Sequence, residues 1–196
     1  MYILFEGIDT SGKSTQISLL ANKIPKAIIT KEPGGTDVGI KLRNILLNGE
    51  LYSSKAQMYL FLADRAEHTN KVVKPNQDRV ILSDRGFVSG MAYALANGEY
   101  DIEFLYRLNS DVMDGILPTH IIFFEISKEV IIDRLSTKDQ DAIESRGIDY
   151  LLSVQKEIES VVNFIESKGV KVLKLNGSLS IEKLHTKICK FVGVDR

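Results

Sequence analysis

Apolar residues along this chain follow two periods in turn. Short runs rich in β-formers stand at 2–6, 27–31, 79–83, 120–126 and 170–175. Several are nearly continuous, as strands buried on both faces are. Between them the period lengthens to that of a helix. Ile17, Leu20, Ala21 and Ile24 share one face, and Pro25 ends that stretch. Val38, Leu42, Ile45 and Leu46 form a second stripe. Ser54 followed by Gln57 reads as a capping box that opens a long helix. Ile148, Leu151, Leu152, Ile158, Val161, Val162 and Ile165 make a strong stripe, stopped at Gly169, and Ser180 caps a last helix. Strands alternating with helices predict an α/β fold, a parallel sheet with helices on both faces. Ligands of such sheets sit beyond the carboxyl ends of the strands. One polar stretch, "TKDQDAIES" at 137–145, breaks the pattern and reads as a loop between two helices.

Composition narrows the classes. The 196 residues suffice for one domain with a core, and 44% hydrophobic with 26% charged is ordinary for a globular chain. A formal net charge of -1 argues against a non-specific nucleic-acid binder. The single cysteine, Cys189, lies in an apolar helix pattern and fits a reducing compartment. "YILFE" opens the chain directly, with no basic leader or long apolar run before it. The expectation is a cytoplasmic protein without a membrane segment.

The chemistry begins at residue 7. Gly7-Ile8-Asp9-Thr10-Ser11-Gly12-Lys13-Ser14, followed by Thr15, matches the P-loop pattern in full, with a strand before it and an amphipathic helix after it. Glycines let the backbone curl so that successive N–H groups face phosphate oxygens. The helix N-terminus adds positive potential. Lys13 offers a point charge to the outer phosphates, and Ser14 a hydroxyl to Mg²⁺. A chance glycine turn before a helix is the alternative. No Asn-Lys-x-Asp guanine reader is present, and the chain is short for a motor. A compact ATP-using kinase is favoured.

Three further motifs follow in order: "TKEPGGT" at 30–36, "LFLADRAEH" at 60–68 and "SDRGFVSGMAY" at 83–93. With the P-loop they resemble the thymidylate kinase family over nearly the whole chain. The resemblance implies transfer of the ATP γ-phosphoryl group to dTMP. It also implies a three-layer P-loop kinase fold with a five-stranded parallel sheet, a short lid near 137–147, and a homodimer.

The residues make sense beside it. Phe61 and Arg65 stand four apart, on one face of a helix. An aromatic ring can stack on a base, and arginine carries only donors. Such a pair suits thymine, whose O4 accepts, over cytosine, whose N4 donates; a core Phe and a surface Arg is the other reading. In similar enzymes the matching pair stacks on thymine and contacts O4. Asp84-Arg85, where a strand leaves the sheet, could hold a Mg²⁺-bound water and bridge the two substrates' phosphates, or form a structural ion pair. Ser89 and Tyr93 follow at helix spacing. By resemblance Tyr93 lies under the sugar and favours 2′-deoxy nucleotides; ordinary packing is the alternative. Asp9 matches a carboxylate near the acceptor's sugar and phosphate. Glu32-Pro33-Gly34-Gly35-Thr36 would shape the acceptor pocket. Arg43 is a candidate acceptor-phosphate ligand or a solvated helix charge.

The match has gaps. Family members place an arginine near the transferred phosphoryl group, in the P-loop or the lid. This P-loop has Thr10 and no arginine, and the lid reads Asp141-Ala142 where relatives have Asp-Arg. Arg146 is the expected substitute, ahead of Arg134 and Lys138. Gly86 replaces a bulky residue after Asp84-Arg85, and Lys31 stands where arginine is common. A kinase for another nucleotide or deoxynucleoside, and a P-loop switch that transfers no phosphate, remain as alternatives. The three histidines show no metal-ligand spacing.

Overall fold

The computed structural model describes residues 1–48, 51–98, 100–135 and 147–194. Five strands, β1 (Tyr2–Glu6), β2 (Ile28–Lys31), β3 (Ile81–Asp84), β4 (His120–Glu125) and β5 (Lys171–Asn176), form one sheet. Its order is β2-β3-β1-β4-β5, and every pairing is parallel. The helices between them are α1 (Lys13–Lys23), α2 (Asp37–Leu47), α3 (Ser54–His68), α4 (Phe87–Ala96), α5 (Ile102–Val112), α6 (Lys128–Leu135), α7 (Ile148–Ser167) and α8 (Ile181–Val192).

The period of two along the central strands explains why both faces are covered. Ile3 and Phe5 of β1 and Ile122 and Phe124 of β4 point one way, into a cluster with Ile17, Leu20, Leu184 and Ile188 of α1 and α8. Leu4, Ile121 and Phe123 point the other way, against Phe87, Met91, Val154 and Ile158 of α4 and α7. The expected three-layer arrangement is therefore present.

Three details differ from the sequence reading. The α3 cap is Ser53, not Ser54: Ser53 has the extended backbone a cap needs, and its Oγ accepts from Ala56 N at 3.2 Å. Strand β3 starts two residues later than the apolar run: the Arg79 backbone N–H donates to Asn76 O at 3.0 Å and so belongs to the preceding turn. The α2 stripe is only partly covered. Leu46 is buried, whereas Val38 and Ile45 are exposed, as are Ile40, Ile29 of β2 and Tyr59 of α3. The cap at Ser180 is as expected. Among the described residues no helix is long and apolar enough to cross a membrane.

Topology fixes where chemistry can occur. The connections leaving β1 and β3 run toward opposite edges of the sheet, which opens a crevice at their carboxyl ends. The P-loop leaves β1 there, and Asp84-Arg85 leaves β3 beside it.

Candidate active site

The P-loop conformation demands its glycines. Gly7 has φ 147°, and a Cβ there would lie 2.7 Å from Phe124 O and 2.9 Å from Ser11 Oγ. Gly12, at φ 99°, turns the chain into α1. Lys13 is buried, and its Nζ donates to Gly7 O (3.1 Å) and Ile8 O (2.9 Å). Burial and then the neighbouring Arg85 charge push this amine down to about 8, against the pull of Asp9 and Asp84. Thr15 and Ser14 are exposed on the first turn of α1. Ser14 Oγ donates to Asp84 Oδ2 at 2.8 Å.

Arg85 has φ 67°, and its N–H reaches back to Phe5 O at 3.0 Å. That left-handed turn folds the side chain over the P-loop. Nη1 donates to Gly7 O (2.6 Å) and Ser89 Oγ (3.2 Å), and Nη2 lies 2.9 Å from Asp9 Oδ1. Ser89 Oγ in turn donates to Glu6 Oε2 at 2.5 Å. Glu6 is fully buried at the end of β1. Burial pushes its carboxyl up to about 7, although the Ser89 hydrogen bond and the Arg85 charge oppose that.

A cavity of about 140 Å³ faces this cluster. Asp9, Glu32, Pro33, Arg43, Phe61, Arg65, Arg85, Ser89 and Tyr93 line it, whereas Gly34 and Gly35, also expected to shape the acceptor pocket, line a second hollow. Leu47, Gly86 and Gly90 complete the wall. Phe61 and Tyr93 are half-buried and line the cavity. Arg43 is not a free surface charge: Nη1 donates to Pro33 O at 3.0 Å. A larger hollow, about 370 Å³, opens on the other side of Asp84 between α1 and β2. Among the described residues it has no aromatic wall and no arginine, so the smaller cavity fits a nucleotide base and phosphate better.

Arg65 lies deeper than a surface charge. It is 2% exposed, with Nε donating to Glu32 Oε2 (2.8 Å) and Nη1 to Asn109 Oδ1 (2.5 Å). The other Glu32 oxygen meets His68 Nδ1 at 2.8 Å, and His68 Nε2 meets Thr30 Oγ1 at 2.7 Å. Burial alone would raise the Glu32 carboxyl, but Arg65 and His68 outweigh it and hold it below the usual carboxylate range. The peptide bond between Glu32 and Pro33 is cis. Asp64 Oδ1 accepts from Gly34 N at 3.0 Å and fastens the same loop to α3.

Several of these residues escaped the sequence reading. Glu6 had a signal, a charge inside a wholly apolar run. His68 had one too, three residues after Arg65 on the same helical face. Asn109 is a polar residue at a stripe position, four after Leu105. Gly86 packs against Leu4: a Cβ there would lie 2.8 Å from Leu4 Cδ1 and would make that side chain shift. Arg146, Lys138 and the Asp141-Ala142 pair lie outside the described residues, as does all of the expected lid except Gly147. Arg134 donates from Nη1 to Thr10 O (2.8 Å) and from Nη2 to Gly177 O (3.0 Å), bracing the P-loop against the β5–α8 turn. Among the described residues, no group of three or more His, Cys, Asp or Glu is placed to hold a metal ion.

Known proteins resemble this chain over nearly its whole length. The family model described as thymidylate kinase matches residues 5–188. A thymidylate kinase of Sulfurovum sp. (strain NBC37-1) is 48% identical over 195 residues, 99% of this chain and 100% of that protein. One from Campylobacter jejuni (strain RM1221) is 47% identical over 194 residues, 98% of this chain and 100% of the relative. A crystal structure of thymidylate kinase from Ehrlichia chaffeensis superposes with a TM-score of 0.76 at 25% identity, covering 98% of each chain.

Proposed function

The chain belongs to the thymidylate kinase family, the ATP-dependent nucleoside monophosphate kinases that act on dTMP, and from that premise we propose how its own residues carry the reaction. ATP lies with its β-phosphate in the loop from Gly7 to Thr15. The acceptor dTMP lies in the cavity across the sheet edge. One observation carries this reading: Phe61 and Arg65 at one end of the cavity, and Asp9 and Arg85 at the other, line a single space against the P-loop.

The acceptor phosphate oxygen attacks the γ-phosphorus in line, and the bond from that phosphorus to the β-bridging oxygen breaks, giving dTDP and ADP. No general base is needed, because a phosphate monoester with a second pKa of about 6 is already mostly ionised at neutral pH. Catalysis is then positioning and charge neutralisation. Lys13 and Arg85 now rest on the carbonyls of Gly7 and Ile8. Phosphate oxygens are stronger acceptors for these cations than neutral carbonyls, so substrate binding draws both from the backbone onto phosphate. Asp9 restrains Arg85 on the acceptor side. Phe61 stacks on the base, Arg65 donates to O4, and Tyr93 under the sugar disfavours a 2′-hydroxyl. Pro33, Ser89 and Arg43 shape the rest of the acceptor wall.

The oxygens of Ser14 and Asp84, 2.8 Å apart and partly open, form a hard donor pair that fits Mg²⁺, an ion that keeps several waters and takes further ligands from phosphate. When bound, Mg²⁺ would neutralise charge on the outer phosphates. We assign the protein to the cytoplasm, in keeping with its single cysteine, Cys189, which is buried. The exposed Val38, Ile40 and Ile45 of α2, with Tyr59 of α3, support a homodimer through that face.

The test is an acceptor panel of dTMP, dUMP, dCMP, AMP and dGMP with ATP and Mg²⁺, read by product analysis. The expected result is dTDP as the leading product. Preference for another acceptor overturns the base-reading role of Phe61 and Arg65. Normal ATP binding without any diphosphate product overturns the reaction itself.

A further inference from the structure

We infer that Asn109 and the Glu32–His68–Thr30 chain are positioning residues that fix which edge of the Arg65 guanidinium reads the acceptor base. The inference rests on Arg65 facing the base, as proposed above. Four separate elements converge on this one side chain. Asn109 comes from α5, His68 and Arg65 from α3, Thr30 from edge strand β2, and Glu32 from the loop after β2.

A guanidinium is a planar fork of five donors. Two of its three nitrogens are committed here, Nε to Glu32 Oε2 and Nη1 to Asn109 Oδ1. Two fixed acceptors on a rigid plane remove rotation about the last bonds of the side chain. The remaining nitrogen, Nη2, then lies over Gly90, where a Cβ would approach it to 3.1 Å. Gly90 lines the same cavity as Phe61 and Tyr93. The glycine therefore leaves room for the third nitrogen beside the place a base would occupy.

The two acceptors are themselves held. Asn109 Nδ2 donates to Leu105 O at 2.7 Å, so its amide cannot turn its oxygen away from Arg65 without leaving a buried donor unpaired. Glu32 is held through His68: with Nδ1–H given to Glu32 Oε1, Nε2 accepts the Thr30 hydroxyl proton. A Cβ at Gly35 would fall 2.6 Å from His68 Cδ2, which shows how tightly the ring is seated. Discrimination against a base bearing a donor at position 4 thus depends on residues that never touch it. An arginine free to swing could turn away from the N4 amino group of cytosine and tolerate it. An arginine pinned at two nitrogens cannot.

The experiment compares steady-state kinetics with dTMP and dCMP for Asn109→Leu, Asn109→Asp, His68→Leu and Arg65→Ala, each checked by circular dichroism. In Asn109→Leu and His68→Leu the dTMP preference over dCMP should fall roughly tenfold or more, mainly through a higher KM for dTMP, with kcat changed less. Asn109→Asp keeps the acceptor oxygen and should retain the preference. The two leucine variants disturb different helices, so a folding failure in one leaves the other to decide. If Arg65→Ala abolishes the preference while both leucine variants keep it, the positioning role is wrong and the base reader stands. If Arg65→Ala itself keeps the preference, the base-reading role falls first.

Discussion

The two ends of the acceptor cavity hold their cations in opposite ways. At the phosphate end, Lys13 rests on main-chain carbonyls of the P-loop, neutral acceptors that phosphate oxygens outcompete, and Arg85 on the Gly7 carbonyl, the Ser89 hydroxyl and the partly exposed Asp9 carboxylate. At the base end, Arg65 is gripped by the side chains of Glu32 and Asn109, and Glu32 by His68. One end has partners it can exchange for substrate. The other keeps its partners throughout. A phosphoryl group carries charge that moves during transfer, so cations free to follow it help. A base does not change during the reaction, and a rigid reader rejects the wrong one better.

The largest expected effect tests the exchangeable end. Lys13→Ala and Arg85→Ala should each lower kcat roughly 10²- to 10³-fold, the range for losing one preorganised charge donor. Thermal stability should fall little for Lys13→Ala, whose cation rests on main-chain carbonyls, and somewhat more for Arg85→Ala, whose partly exposed ion pair with Asp9 ties the β3–α4 turn to the P-loop. A Tm loss as large as the one expected at the base end would make these cations structural and erase the contrast.

Next in size is the reverse experiment at the fixed end. Glu32→Ala leaves Arg65 buried without its carboxylate. Breaking one side of a buried pair typically costs about 3–5 kcal/mol. Urea denaturation should show that loss. Acid should show its counterpart in the wild type: Glu32 is held below its ordinary range, so its contribution is present above the unfolded carboxylate pKa and is lost as pH falls through the folded one. A Glu32→Ala protein of unchanged stability would mean that the network orients Arg65 without holding the fold.

The contrast also explains what the chain reveals on reading. The P-loop is contiguous, so its glycines, Lys13 and Ser14 could be recognised together, and the crevice could be placed from the alternation of strands and helices. The spacing of Phe61 and Arg65 puts them on one helical face, and the resemblance carried by "LFLADRAEH" singles them out as a base reader. The residues that hold Arg65 come from positions 30, 32, 68 and 109, brought together only by the order of the sheet and the packing of α3 against α5. No local spacing encodes that meeting. Glu32 was expected as pocket wall, and its grip on Arg65 appears only in three dimensions. Gly86, which reads as a departure, packs directly against the Leu4 methyls, so that a Cβ there would make the Leu4 side chain shift.

Glu6 stands on the border between the two ends and sharpens the comparison with the smallest expected effect. Its carboxyl sits at the end of β1, under the P-loop. One oxygen is bonded to Ser89, and the other has no hydrogen-bond partner among the described residues. Its pKa is raised to about 7, chiefly by burial. A carboxyl raised in the folded state destabilises as it ionises: both states are protonated below the unfolded value, and stability is lost as pH climbs from there through about 7. Glu6→Gln removes that ionisation and keeps an acceptor for Ser89. The variant should gain stability over the wild type as pH rises from 5 to 8, by a few degrees in Tm, since about 1 kcal/mol shifts a domain of this size by roughly 2–4 °C. If the gain is constant across that range, Glu6 does not titrate there. If the variant instead loses stability at pH 8, the ionised carboxylate is a fixed partner of Arg85, and the phosphate end is more tightly wired than its carbonyl contacts suggest.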